Sequence, residues 1–233
     1  MIYNIVKVYF SQRDPISKKA GYFPQRFDLF ERYTLKSLEA QTFKGFVVWI
    51  HCQKGMEAIL SPLKTKHPEF VFTFGEHFPE RLPDKTKLLD STLVYMTRID
   101  SDDLYRCDAL ELLNRKSPIE PGRVEASMFT MGYIFDLRTK RLGWYKKASQ
   151  PFHTLMFPTE IFLDKDLYEK NFVGDHSMVA GRYRTQGLPP FRFCVLIHGL
   201  NCGSSFENRG ARIMRNENFS PERFIHGAYN LRS

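Results

Sequence analysis

No stretch of this 233-residue chain approaches the roughly 20 consecutive apolar residues that a membrane-crossing helix needs. Its four cysteines, Cys52, Cys107, Cys194 and Cys202, form no Cys-x-x-Cys pair, and their spacing fits no common zinc site. Reduced thiols in a cytoplasmic protein are the expected state. No block of five or six basic residues is present, which argues against a basic arm or tail. There is no internal repeat and no low-complexity tract. Met1 to Phe10 has neither the basic start nor the cleavage site of a secretory signal. The expectation is a soluble cytoplasmic protein, at most peripheral at the inner face of a membrane.

What is present fits an enzyme-sized globular chain. Hydrophobic residues make up 42% and aromatics 15%, with 21 Phe and 11 Tyr, enough for one sizeable core. The formal charge of +8 favours anionic partners. That charge is scattered in short clusters such as Lys18-Lys19 and Lys146-Lys147, whereas a nucleic-acid binder wants basic residues interleaved with aromatics on one face. No nucleic-acid partner is expected.

Strand and helix signals alternate through the first half. Ile2 to Phe10 reads as a strand, Arg26 to Gln41 as a helix, Phe46 to His51 as a buried strand, and Glu57 to Lys66 as a helix. Phe70 to Phe74 reads as a strand. Lys85 to Met96 starts as a helix and ends as a strand, and Leu104 to Leu113 reads as a helix. Such alternation predicts a parallel α/β sheet, which takes ligands at the carboxyl ends of its strands. The second half reads as strands over Ala126 to Phe135, Arg141 to Tyr145, Thr154 to Phe162 and Phe193 to His198. From Ser204 onward the chain reads as a polar, mobile tail. One domain over 1–233 is expected, with a ligand-binding half to about 115, a second half from about 116 to 203, and the tail from about 204 to 233.

The densest chemical signal is Thr97-Arg98-Ile99-Asp100-Ser101-Asp102-Asp103, where three carboxylates fall within four residues after an apolar run. Carboxylates packed this closely repel unless a cation or strong donor neutralises them. At the end of a buried strand, a hard divalent cation held by oxygen would serve, and an Asp-x-Asp there suits a diphosphate bridged by Mg²⁺ or Mn²⁺. The chemistry is transfer from an activated, phosphate-bearing donor. The plain structural alternative is a turn, with Asp103 capping the next helix and Arg98 in a salt bridge.

Three segments carry a family resemblance. Arg26-Phe27-Asp28-Leu29-Phe30-Glu31 leads into a helix ending Ser37-Leu38-Glu39-Ala40-Gln41-Thr42, followed by the Val-Val-Trp-Ile strand. The Asp cluster is the second segment. The third comprises Gly174-Asp175-His176-Ser177 and the late His198-Gly199-Leu200-Asn201. Together they resemble a family 2-like glycosyltransferase of the GT-A fold, and within it the rhamnosyltransferase-like group. The likeness runs from Ile2 to about Asn201. It implies a GT-A (nucleotide-diphospho-sugar transferase) fold: a Rossmann-like, mostly parallel sheet with a mixed C-terminal half.

The resemblance implies roles as well. Arg98, Asp100, Asp102 and Asp103 would face the donor. Asp100 and Asp102 would hold Mn²⁺ or Mg²⁺, with His198 completing the shell. Asp175 would be the base of an inverting reaction. Arg26, His176 and Asn201 would contact acceptor or phosphate, with Arg13, Lys85 and Lys87 as further candidates for phosphate or acceptor contacts. The implied donor is a nucleotide sugar, with deoxythymidine-diphosphate rhamnose first, and the partner that receives the sugar is a glycan or lipid-linked acceptor. One departure stands out: His51-Cys52-Gln53-Lys54 occupies the place where related enzymes keep acidic residues for the nucleoside.

Two other readings compete. A nucleotidyltransferase also uses paired Asp residues and a metal, but it usually carries a glycine-rich loop after the first strand, and Phe10 to Ala20 has no glycine. The other is a non-catalytic glycan- or nucleotide-binding module on a degenerate transferase fold.

Overall fold

The apolar runs pair side by side because each is flanked by polar turns and short amphipathic helices that can cover a sheet. The computed structural model describes residues 1–10, 21–78, 82, 85–114, 120, 122–201, 205–207, 210–214 and 220–231. Four strands form a parallel block within a seven-stranded sheet: β1 (Ile2–Tyr9), β2 (Phe46–Cys52), β3 (Val71–Phe74) and β4 (Leu93–Asp100). Their spatial order is β3-β2-β1-β4, with β1 parallel to both β2 and β4. Beyond β4 lie β9 (His153–Pro158), β6 (Glu125–Met128) and β10 (Thr185–Gly187). The β9 strand runs antiparallel to both β4 and β6. The mostly parallel α/β sheet with a mixed C-terminal half, expected from the sequence, is present.

A second sheet of five strands has the order β12-β8-β7-β11-β5, from β5 (Leu104–Tyr105), β7 (Met131–Asp136), β8 (Leu142–Lys146), β11 (Phe193–Ile197) and β12 (Arg212–Ile213). This divides the Ala126 to Phe135 run. Its first part joins one sheet as β6 and its last part joins the other as β7, with the switch at buried Phe129.

Helical segments pack on both faces of the first sheet. The first helix runs as α1 (Tyr22–Leu29), a π-helical turn (Phe30–Leu35) and α2 (Lys36–Glu39), so it starts four residues earlier than its periodicity predicts. The α3 helix covers Glu57–Lys66, as the sequence predicts. The short α4 (Lys85–Leu89) leads into β4. The predicted helix from Leu104 is corrected: Leu104–Tyr105 pairs as a strand with Phe193 and Cys194, and α5 begins at Ala109 and ends at Asn114. The predicted strand to Phe162 stops at Pro158, and α6 (Thr159–Leu163) and α7 (Lys165–Asn171) follow.

Side chains alternate across β1 and β4. Val6, Val8 and Ile99 join Ile50 in the core under the first helix. Tyr3, Ile5 and Met96 enter a second core with Trp49, Phe157 and Tyr168. The segment after Ser204 is not uniformly polar in its packing. There α8 (Pro221–Ala228) lays Ile225 against a third core with Phe135, Leu142 and Leu196, and Tyr229 and Leu231 are buried beside it.

Candidate functional site

The carboxyl ends of β1, β2 and β4 bring the predicted residues into two clusters, one on each side of the sheet. In the first, Asp102 sits just past β4 and is buried. Arg26 of α1 grips it with both nitrogens: Nη2 donates to Oδ1 at 2.9 Å and Nη1 donates to Oδ2. Arg26 Nη2 also donates to Ser101 Oγ at 2.6 Å. His198 Nε2 lies 2.8 Å from Asp102 Oδ2, and Asn201 Nδ2 donates to the same oxygen at 3.3 Å.

The chain after β11 folds to allow this. Gly199 has φ +85°, and the turn it permits brings Asn201 back so that its Oδ1 accepts the His198 backbone N–H at 2.8 Å. Asn201 Nδ2 also donates to the Leu196 carbonyl at 2.8 Å. Burial alone would raise the Asp102 carboxyl, but the Arg26 charge, helped by His198, holds it well below the usual carboxylate range. Asp102 is therefore ionised, and Arg26 is its counter-charge.

The second cluster lies on the other face. Arg98 Nη2 donates to Asp100 Oδ1 at 3.1 Å, and Arg98 Nη1 donates to the Gly174 carbonyl at 2.8 Å. The guanidinium stacks 4.1 Å from the Tyr9 ring centroid, and Tyr105 Oη donates to the Arg98 carbonyl at 2.7 Å. Asp100 and Arg98 are each partly exposed, with side chains 28% and 14% accessible. Asp175, next to Gly174, is exposed and accepts the Ser177 N–H at 2.9 Å, capping a short 3₁₀ turn (His176–Met178). Burial, then the nearby Arg98 charge, lowers the pKa of His176. Ser149 Oγ donates to the His176 carbonyl.

Asp103 belongs to neither cluster. Its Oδ1 accepts the Leu196 N–H at 3.2 Å, which ties the end of the Asp run to β11, and the helix it was expected to cap begins only at Ala109. Lys85 and Lys87 lie on α4, which enters β4 at the end opposite Asp100. Arg13 lies outside the described residues.

The Ser37-to-Thr42 motif turns out to be a clamp on the segment that follows the Asp run. Gln41 Nε2 donates to the carbonyls of Ser37 at 2.8 Å and Arg106 at 2.9 Å, and its Oε1 accepts the Leu110 N–H at 3.1 Å. Thr42 N–H reaches the Cys107 carbonyl at 2.8 Å.

Sequence reasoning missed a further group beside Arg98. Lys7 is fully buried, with Nζ 3.6 Å from the Trp49 ring centroid and donating to the His77 carbonyl at 3.2 Å. Burial, then the Arg98 charge, pushes its pKa well below the usual lysine value. His51 stacks on His77 with centroids 4.3 Å apart, and burial followed by the Lys7 charge lowers its pKa to about 2. Its signals in the sequence are a lysine inside an apolar strand and His51 at the position expected for nucleoside contacts.

The residues as arranged do not fit a divalent metal. Both Asp102 oxygens and the His198 Nε2 are engaged with one another and with Arg26, while Asp100 is paired with Arg98 on the other face. No group of three His, Cys, Asp or Glu side chains able to hold a metal is present among the described residues. Among the described residues no helix is long and apolar enough to cross a membrane.

No protein-family model matches the chain, and no curated protein matches it. Among solved structures it is similar to S. aureus TarS, with a TM-score of 0.41 and 13% identity over 83% of this chain and 60% of that one. That protein is also solved in complex with UDP. The chain is similar to the inositol-1-phosphate CTP transferase of T. maritima, at 0.43 and 13% over 87% of this chain and 92% of that one. It is also similar to the glycosyltransferase GlyE of Streptococcus pneumoniae TIGR4, at 0.37 and 10% over 79% and 45%. The chain thus spans 60% of the TarS structure. With TM-scores below 0.5, these likenesses carry no weight for substrate or reaction.

Proposed function

We propose that this chain is a glycosyltransferase of the GT-A type. It would take a nucleoside-diphosphate sugar at the carboxyl ends of β1, β2 and β4 and pass the sugar, with inversion, to a hydroxyl of a glycan or lipid-linked acceptor. One observation carries the reading. Arg98 bonds both the partly exposed Asp100, at the end of a central parallel strand, and the Gly174 carbonyl, 76 residues away, so the charges of Asp100 and of the exposed Asp175 both act on one guanidinium. A donor-facing carboxylate and a candidate base then share one edge, where sheets of this type take ligands.

In this mechanism Asp175 accepts the proton of the acceptor hydroxyl. The hydroxyl oxygen bonds to the anomeric carbon, and the bond to the diphosphate breaks with its electron pair leaving on the diphosphate. Arg98 orients Asp100 and supplies positive charge at that edge. Rhamnose is the sugar that the family resemblance implies, and deoxythymidine diphosphate the carrier.

Calorimetric titration with UDP, dTDP, GDP and CDP, followed by transfer assays with the matching sugar nucleotide, tests the proposal. One nucleotide should bind, and Asp100→Asn should change its affinity about tenfold, or roughly 1.4 kcal/mol. Asp175→Asn should leave nucleotide binding intact and slow transfer by about 10²–10⁴-fold, the range for loss of a general base. A folded protein that binds no nucleotide would overturn the donor site. Nucleotide binding and transfer that survive Asp175→Asn would remove the base.

A further inference from the structure

Asp102 carries the charge that an Asp-x-Asp motif offers to a metal, yet its surroundings are those of a closed ion pair. Its side chain is 9% accessible, that of Arg26 is 5% and that of His198 is 4%. Oδ1 accepts from Arg26 Nη2, and Oδ2 accepts from Arg26 Nη1, His198 and Asn201.

The tautomer of His198 follows from its two partners. The Leu200 N–H points at Nδ1 at 3.3 Å, so that nitrogen presents a lone pair. Nε2 faces an ionised carboxylate oxygen at 2.8 Å, so it carries the proton. A metal ligand needs the lone pair on the nitrogen that faces the ion, and here that nitrogen is a donor. A cation entering at Oδ2 would also meet the Arg26 guanidinium, which lies 3.4 Å from the same imidazole nitrogen. To admit the ion, the protein would have to leave a buried guanidinium without its carboxylate.

We propose that Arg26 is the resident counter-cation of Asp102, so that this motif holds a guanidinium in place of a divalent metal. Asp102 is then a positioning residue that ties α1 to the loop after β11. A nucleoside diphosphate would bind at this edge without a metal on Asp102. The part concerning the donor rests on the glycosyltransferase reading, whereas the metal part stands by itself.

Mn²⁺ titration followed by electron paramagnetic resonance tests it on the full chain. Wild type and Asp102→Asn should bind Mn²⁺ with affinities within about twofold of each other, since a carboxylate outside the metal's reach contributes no ligand bond. Arg26→Gln should gain a single Mn²⁺ site at least about tenfold tighter than any in wild type, because it frees a hard oxygen pair. Adding Asp102→Asn to Arg26→Gln should abolish that site. A single wild-type Mn²⁺ site lost in Asp102→Asn would overturn the proposal. So would a folded Arg26→Gln that gains none. If Arg26→Gln does not fold, the comparison of wild type with Asp102→Asn decides alone.

Nucleotide titration in EDTA and in Mn²⁺ separates the two readings. Equal affinity in both supports metal-free binding, and a Mn²⁺ requirement that disappears in Asp102→Asn overturns it. Absence of any nucleotide binding would remove the donor reading and leave the Mn²⁺ result standing.

Discussion

Arg26 and Asp102 form a bidentate ion pair with both residues at least 94% buried, and its energetics are asymmetric. Keeping both partners roughly balances desolvation against attraction, while removing one leaves an uncompensated charge in the interior. Arg26→Ala is therefore expected to lower the unfolding free energy by about 3–5 kcal/mol, read by urea denaturation. Replacing both, as Arg26→Met with Asp102→Leu, should recover most of that loss. A single Arg26→Ala as stable as wild type would mean that the pair is open to solvent. The sequence displayed the Asp cluster and the need for neutralising charge, but not its source. Arg26 lies 76 residues from Asp102, and His198 lies 96 residues away just past β11, so no local spacing could announce the contact. Arg98 was legible as a pairing partner for Asp100 because both sit on one face of β4, two residues apart.

At the level of elements, strong periodicity was readable and sheet membership was not. The α3 helix and the strands β1, β2 and β3 emerge within a residue of their sequence signals, because apolar runs with sharp flanks leave little choice of register, whereas β4 runs on from the expected end at Met96 to Asp100. The misread element at Leu104 has helix-like apolar spacing, yet tertiary pairing with Phe193 and Cys194 wins over local propensity. The last helix was hidden by the polar composition around it, although Ser220-Pro221-Glu222 is a helix-start signature. Ser220 Oγ accepts the Arg223 N–H at 3.4 Å, and Pro221 opens the first turn. Because Ile225, Tyr229 and Leu231 are buried against Phe135, Leu142 and Leu196, cutting the chain after Met214 should expose an apolar face. The melting temperature should fall by several degrees, at about 2–4 °C for each kcal/mol lost in a chain of this size, and a hydrophobic dye should bind. A truncated protein that melts like the full chain would show that this helix adds nothing to the core.

Across the whole molecule, the buried histidines and Asp102 push stability in one direction over the acid range. Burial, followed by nearby positive charge, lowers His51 to about 2 and His153 to about 3. In the unfolded chain both return to about 6.5. Above that value neither state binds the protons, so both histidines permit full stability. As pH falls below it, the unfolded state takes up protons that the folded state refuses, until the folded values are reached. Asp102 acts with the same sign further into acid, since its depressed carboxyl gives stability above about pH 4 that is lost as pH falls through its folded value. Urea unfolding from pH 8 to pH 4 should thus show an added decline beginning near pH 6.5. Each of the two histidines should contribute a slope of about 1.4 kcal/mol per pH unit at its steepest. The double variant His51→Asn with His153→Asn, compared with wild type by the same titration, should lose most of that slope between about pH 6 and pH 4 and keep only the carboxylate limb below. A variant whose slope equals that of wild type would mean that these imidazoles reach solvent in the folded protein, and that the acid sensitivity has another source.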